Sequence, residues 1–193
     1  PAVWVGSVPH CSIINEDRLK AFAQLKKRHP IIVAANYHQF NRPKRRVDDP
    51  IEARKKGFKG GDIIDSDLAW VGYADNIKML LDKGHDIYVI YPIPDPGTDV
   101  KKIVLSKIKL PSYDFKTEYS ENKNAFANAV KQTEKLDKYL PEHPKLHKIH
   151  PKDIFCSDSS SCEIINKLGG LYNGGGHLSY FGANLILDEI LSD

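Results

Sequence analysis

Hydrophobic residues near the start of the chain first follow a helical period and then form a continuous run. In the segment Asn15–Lys27, apolar side chains recur at every third position: Leu19, Phe22 and Leu25. This spacing predicts a helix, which ends before Pro30 because proline cannot continue it. The unbroken apolar run Ile31–Ala35 then predicts a strand of a parallel sheet that is covered on both faces. Polar Asn36 follows this strand, and α/β sheets place their sites at the carboxyl ends of their strands.

The middle of the chain repeats this order of helix and strand. Asp65 or Ser66 can cap a helix that ends at Gly84. The apolar residues of this helix keep the helical period: Leu68, Val71, Ala74, Ile77 and Leu81. The apolar run Ile87–Tyr91 predicts a second buried strand, and the turn-rich loop Pro92–Gly97 follows it.

The last third of the chain predicts two further helices. The segment Glu121–Leu140 has a helical apolar face, and His177–Leu191 forms the closing helix. Leu146–Ile149 predicts a short edge strand, Leu171–Tyr172 can pair briefly, and Asp99–Ser120 has no single pattern. Helices that alternate with strands in this way predict a three-layer α/β/α sandwich around a mostly parallel sheet.

The composition is that of an ordinary globular protein. The chain has 193 residues with 41% hydrophobic residues, and 28 Lys and Arg against 25 Asp and Glu give a net charge of +3. This length predicts a single domain over residues 1–193. The net charge is too small for a protein whose main partner is nucleic acid, so the basic segment 41–62 is interpreted as a surface excursion. No apolar run approaches the ~18 residues of a membrane span.

The chain has an odd number of cysteines, namely Cys11, Cys156 and Cys162. The second and third stand close together in a loop rich in Ser and Asp. A disulfide between them would close a short loop and indicate an oxidising compartment, and three free thiols in a cytosolic protein are the alternative.

The segment around His177 is the strongest candidate for chemistry. The glycines Gly174–Gly176 free the backbone to bring His177 to the start of the closing helix. A histidine held there can carry a proton near neutral pH, whereas the alternative is a glycine-rich turn whose histidine has no role. The histidines His143, His147 and His150 are a weak metal candidate, since prolines interrupt any helix that would align them.

Several blocks of the sequence occur in a characteristic order: Cys11 with Asn15 and a helix, Ile31–Ala35, Gly84-His85 with the loop Pro92–Pro96, Cys156 with Cys162, Leu171–Asn173, and His177–Ala183. Over nearly the whole chain they resemble the SGNH hydrolase-like domain that is fused to acyltransferase-3 membrane proteins, which O-acylate bacterial surface polysaccharides. The resemblance implies a three-layer, flavodoxin-like fold whose N-terminal strand this chain lacks. It also implies a serine esterase or acyltransferase mechanism. His177 matches the catalytic base of the family, and Asn36 and Asn173 are the candidates for its oxyanion or substrate side.

Two departures from the family pattern weaken the catalytic assignment. Where the family has an aspartate three residues before its histidine, this chain has Gly174, so a carboxylate must come from elsewhere, such as Asp153 or Asp158. The chain also has no Gly-Asp-Ser nucleophile block, and its nearest match, at Ser7, lacks the aspartate. The abrupt start and the unpaired Cys11 lead us to expect that the nucleophile precedes residue 1 in a longer parent protein.

The resemblance implies that the domain passes an acyl group, taken to be acetyl, to a carbohydrate of the bacterial cell envelope such as lipopolysaccharide. It implies no cofactor and no metal in this domain, because a donor such as acetyl-CoA would be handled by the membrane acyltransferase domain of the same protein. It implies a location on the periplasmic or extracellular face. The first alternative is a catalytically inactive relative that binds glycans or acts as a scaffold, and the second is an unrelated cytosolic α/β protein.

Overall fold

The computed structural model describes residues 17–37, 40, 44–45, 63–64, 66–108, 114–120, 122–157, 161–174 and 176–192. Its helices are α1 (17–23), α2 (Ser66–Asp82), α3 (Val100–Lys107), α4 (Lys123–Tyr139), α5 (Pro151–Phe155) and α6 (Tyr180–Ser192). Its strands are β1 (Pro30–Ala34), β2 (Lys44–Arg45), β3 (Ile63–Ile64), β4 (Asp86–Ile90), β5 (Glu118–Tyr119), β6 (Leu146–Ile149), β7 (Glu163–Asn166) and β8 (Gly169–Gly170).

The continuous apolar runs form a parallel sheet, as the sequence predicts. Strands β1, β4 and β6 lie side by side in that order. The Ile87 N–H donates to the Lys145 carbonyl and the Tyr91 N–H to the Ile149 carbonyl, both at 2.8 Å. Strands β4 and β6 therefore run in the same direction. In β4, Ile87 and Val89 have no exposed surface. Strand β1 buries Ile31 but leaves Ile32 48% exposed, so the prediction that this strand is covered on both faces is wrong. The predicted α/β class with a mostly parallel sheet is confirmed.

The structure differs from the sequence-based elements mainly at helix ends and in the short strands. Helix α1 ends at residue 23 and not at Lys27, and the closing helix begins at Tyr180 and not at His177. The segment without a clear pattern contains α3 and β5. Short strands β5, β7 and β8 form an antiparallel sheet, and β2 pairs with β3. Most of the predicted surface excursion 41–62 lies outside the described residues.

The chain divides into two compact units, Pro1–Val89 with Lys135–His147 and Ile90–Glu134 with Lys148–Asp193. The core of the first unit contains an aromatic cluster, whose members are Tyr37, Phe40, Trp70 and Tyr73. The hydroxyl groups of Tyr37 and Tyr73 lie 2.9 Å apart in a hydrogen bond. Tyr37, a neighbour of the predicted site residue Asn36, is therefore a core residue.

The core of the second unit lies between α6, α5 and the antiparallel sheet. Helix α6 buries Ile186 and Ile190, and strand β7 buries Ile164 and Ile165. Leu171, directly after β8, has no exposed surface. Helix α6 approaches this point so closely that a Cβ atom at Gly182 would lie 2.2 Å from the Leu171 carbonyl oxygen. The start of the closing helix is thus fixed against backbone, and not only against side chains.

Cys156 and Cys162 form a disulfide, as one of the two sequence interpretations predicts. The two residues also form an isolated antiparallel bridge, and the Cys162 carbonyl accepts a hydrogen bond from the Ser120 N–H at 2.7 Å. The disulfide closes the loop between α5 and β7. The hydrogen bond joins the end of this loop to Ser120, the residue that follows β5.

We expect reduction of this disulfide to lower the free energy of unfolding by about 2 kcal/mol, because it removes a constraint on the unfolded chain. Urea unfolding with and without a thiol reductant measures the difference. The double variant C156A/C162A is the matched control and should not respond to the reductant. Equal unfolding midpoints for the oxidised and reduced wild type would contradict the expectation.

We expect Gly182→Ala to lower the free energy of unfolding by about 1–3 kcal/mol, since the added methyl group meets a backbone oxygen that cannot move aside. Helix propensity alone predicts the opposite, a gain of about 1 kcal/mol. Chemical denaturation of the variant decides between the two. Asp188→Ala, at an exposed position of the same helix, is the control and should change stability by less than about 0.5 kcal/mol.

Candidate functional site

The loop that carries His177 is a tight turn held by backbone hydrogen bonds. The Asn173 N–H donates to the His177 carbonyl at 2.8 Å, and the His177 N–H donates to the Gly174 carbonyl at 3.1 Å. Tyr172 and Leu178 form an isolated antiparallel bridge at the base of this turn. Gly174 and Gly176 have φ angles of 86° and 76°, a region that residues with a Cβ atom seldom adopt. The glycines of the sequence motif are therefore needed by the turn itself.

Ser179 ties this glycine loop to the start of helix α6. Its hydroxyl donates to the Gly170 carbonyl at 2.6 Å and accepts from the Gly182 N–H at 3.2 Å. Its N–H donates to the Leu171 carbonyl at 2.8 Å. The hydrogen bond from the Gly182 N–H to the Ser179 hydroxyl is that of a helix N-cap. It satisfies an N–H group that the first helical turn leaves without a partner. His177 consequently lies two residues before the cap, near the positive end of the helix dipole.

The side chains of His177 and Asn173 are both exposed. In the part of the chain that the structure describes, the His177 imidazole makes no hydrogen bond or ion pair. It is thus accessible to a substrate, and no described residue orients it. A general base needs such access, and an orienting partner increases its effect.

A second loop comes close to the glycine loop. It follows strand β4 and contains Asp95, whose side chain is exposed. The Asp95 Oδ1 atom accepts a hydrogen bond from the Gly97 N–H at 2.8 Å. A Cβ atom at Gly176 would lie 3.8 Å from the Asp95 Cγ atom and 4.0 Å from its Oδ2 atom. The structure therefore places a carboxylate in front of the residue that precedes His177.

Tyr172 forms the buried side of this region. Its side chain is 2% exposed, and its hydroxyl has no hydrogen-bond partner among the described residues. Burial raises the pKa of Tyr172 far above its usual value, and the negative charge of Asp95 raises it further. The hydroxyl accordingly remains protonated and uncharged beside the carboxylate.

The loop of Asp95 is held by the segment after β5. The Ser120 hydroxyl, which is buried, donates to the Pro96 carbonyl at 2.7 Å, and it accepts from the Asn122 N–H at 3.0 Å. The Asn122 side-chain amide lies 3.5 Å from the Asp95 carbonyl oxygen. These contacts hold the backbone at Asp95 and at the next residue, Pro96.

The other predicted site residues lie elsewhere in the chain. Asn36 is exposed after β1 in the first unit, and its oxyanion role stays a prediction. Asp153 is exposed on α5, and its carboxylate pairs with Lys152 Nζ at 2.6 Å. Asp158 lies outside the described residues, as does Ser7. The role suggested for Asp158 therefore stays a prediction, Asp153 makes no contact with His177, and the carboxylate that the described residues bring near the glycine loop is that of Asp95.

The histidines considered for a metal each contact a different neighbour. The ring of His147 stacks on Tyr88 and that of His150 lies against Tyr91, each with centroids 4.3 Å apart. The His143 Nδ1 atom accepts from the Lys145 N–H at 3.1 Å. Among the described residues, no group of three or more His, Cys, Asp or Glu side chains is arranged to hold a metal ion.

In the part of the chain that the structure describes, no helix is both long and apolar enough for a membrane span.

The fold agrees with a comparison against known families. The model of the SGNH domain that is fused to AT3 domains matches residues 1–192. No curated protein and no solved structure matches the chain. Since the family model covers all but the last residue, the chain belongs to the SGNH domains that are fused to AT3 domains, a family of the acyltransferase and esterase type.

Proposed function

We propose that this domain passes an acyl group, acetyl in the first instance, to a hydroxyl group of a cell-envelope carbohydrate, with His177 as the general base. The observation that carries the proposal is the position of His177. It is exposed on a turn that hydrogen bonds and the N-cap of α6 hold in place, and the carboxylate of Asp95 lies near the preceding residue, Gly176. A neutral imidazole in such a place can remove a proton from a hydroxyl group that approaches from solvent.

The proposed step is an acyl transfer between two oxygens. A His177 nitrogen accepts the proton of the attacking hydroxyl while the oxygen of that hydroxyl bonds to the ester carbonyl carbon. The electron pair of the C=O bond moves to the carbonyl oxygen. When the intermediate collapses, the carbonyl forms again, the bond to the leaving oxygen breaks, and the imidazolium returns its proton to that oxygen. The acyl group has moved, and the enzyme has neither gained nor lost a proton.

Asn173 is proposed to contribute on the substrate side. Its side chain is exposed at the start of the turn that ends in His177, and an amide can donate a hydrogen bond to an oxygen that becomes negative. Asn36 is proposed for the same role on the evidence of the sequence alone. Both are weaker assignments than His177.

We infer a location at the bacterial envelope, on the periplasmic or extracellular side, where an AT3 membrane domain of the same protein supplies the acyl group. Two findings support this inference: the family is defined by its fusion to AT3 domains, and Cys156 and Cys162 are joined by a disulfide. Disulfides persist in oxidising compartments and are rare in the cytosol. In this arrangement the domain itself needs no cofactor.

A catalytically inactive domain that binds glycans or serves as a scaffold is the second candidate. The observation in its favour is position 174, where glycine stands in place of the aspartate of the family and leaves the His177 imidazole without a partner in the described residues. Such a domain would bind an oligosaccharide without turnover.

We expect His177→Ala to lower the rate of 4-nitrophenyl acetate hydrolysis by the full-length protein by at least about 100-fold, because the general base is lost. His29→Ala is the matched control, since it removes another exposed histidine and should leave the rate unchanged. Equal rates for His177→Ala and the wild type would exclude the catalytic proposal. Oligosaccharide binding that survives in such a protein would then support the second candidate.

A further inference from the structure

Position 174 has a glycine where the family has the aspartate that orients its histidine. A catalytic imidazole works best when a carboxylate accepts a hydrogen bond from one nitrogen, which fixes the tautomer and stabilises the imidazolium. Apart from Gly174 itself and its two neighbours in the chain, no heavy atom of the described residues would lie within 4 Å of a Cβ atom at position 174. Among the described residues, no other side chain therefore fills the place of the family aspartate.

Asp95 meets the requirements for this role from a different loop. Its Oδ1 atom is held by the Gly97 N–H, whereas its Oδ2 atom has no hydrogen-bond donor among the described residues. The Oδ2 atom would lie 4.0 Å from a Cβ atom at Gly176, the residue next to His177. A hydrogen bond between the two side chains requires a His177 rotamer that turns one ring nitrogen toward this oxygen.

The glycine at position 176 leaves space between the His177 imidazole and the Asp95 carboxylate. A Cβ atom there would be in van der Waals contact with the carboxylate, and any longer side chain would extend over it. Glycine leaves this space open to the imidazole of the next residue. Tyr172, whose pKa is raised by burial and by the charge of Asp95, is a buried phenol that keeps its proton and forms no ion pair with the carboxylate.

We propose that Asp95 is the positioning residue for His177, and that it replaces in space the aspartate that position 174 lacks. The carboxylate accepts a hydrogen bond from one imidazole nitrogen, which leaves the other nitrogen unprotonated toward the substrate. The backbone of the Asp95 loop is already fixed by Ser120 and Asn122, so only the His177 side chain has to rotate. This inference rests on the proposed function of His177 as a base.

The kinetic test uses three variants of the full-length protein with 4-nitrophenyl acetate. Asp95→Asn should lower kcat at least about tenfold with little change in KM, because the base is no longer held in its productive tautomer. Adding Gly174→Asp to that variant should restore part of the loss, since the space at 174 is open and aspartate tolerates a positive φ better than most residues. Asp188→Asn, which changes an exposed aspartate of helix α6 in the same unit, is the control and should keep the wild-type rate.

A second measurement does not depend on turnover. Long-range proton–nitrogen NMR of His177 in this chain should show one neutral tautomer in the wild type and the mixture of a solvated imidazole in Asp95→Ala. A mixture in both proteins would overturn the role of Asp95, as would equal losses of kcat in Asp95→Asn and Asp188→Asn. If His177→Ala keeps the wild-type rate while the tautomer still responds to Asp95, the proposed function fails and the contact between the two residues stands.

Discussion

The candidate site depends on the close approach of helix α6 to the backbone at Leu171. Only glycine at position 182 permits this approach, because a Cβ atom there would lie 2.2 Å from a carbonyl oxygen. Ser179 uses the same approach to bond to the Gly170 carbonyl and to cap the helix. With both ends of the glycine loop fixed in this way, the chain must turn within a few residues, and the left-handed conformations of Gly174 and Gly176 make that turn possible. The place of His177 follows from packing and not from its own contacts.

The carboxylate beside this loop is held by a separate set of interactions. The Asp95 loop begins at the end of a buried parallel strand, and the buried hydroxyl of Ser120 holds it through the Pro96 carbonyl. Neither loop bonds to the other among the described residues, so their proximity results from the strands and helices that carry them. A base and a carboxylate that are fixed independently can be preorganised at little cost during the reaction.

The sequence predicts the parallel sheet and the histidine loop well, for physical reasons. Strands β1 and β4 both have an unbroken apolar run in the sequence, but only β4 is mainly buried, whereas β1 buries Ile31 and leaves Ile32 exposed. A glycine run before a histidine predicts a tight turn, which the structure contains. The predicted start of the closing helix, His177, is three residues too early. Apolar Leu178 continues the helical period in the sequence, but Ser179 caps the helix. The antiparallel strands β5 and β8 have two residues each, too few for a period to be visible. Asp95 stands in a proline-rich turn whose composition indicates only a turn, and its proximity to Gly176 is a tertiary contact that no local pattern reveals.

The central claim, that His177 and Asp95 act as one unit, is tested most directly by a double-mutant cycle on acetyl ester hydrolysis by the full-length protein. The rate is measured for the wild type, Asp95→Asn, His177→Ala and the variant with both substitutions. If the carboxylate acts through the imidazole, removing it costs nothing once His177 is absent, and the double variant will be as slow as His177→Ala alone. Losses that multiply in the double variant would show that the two residues act independently and would contradict the claim.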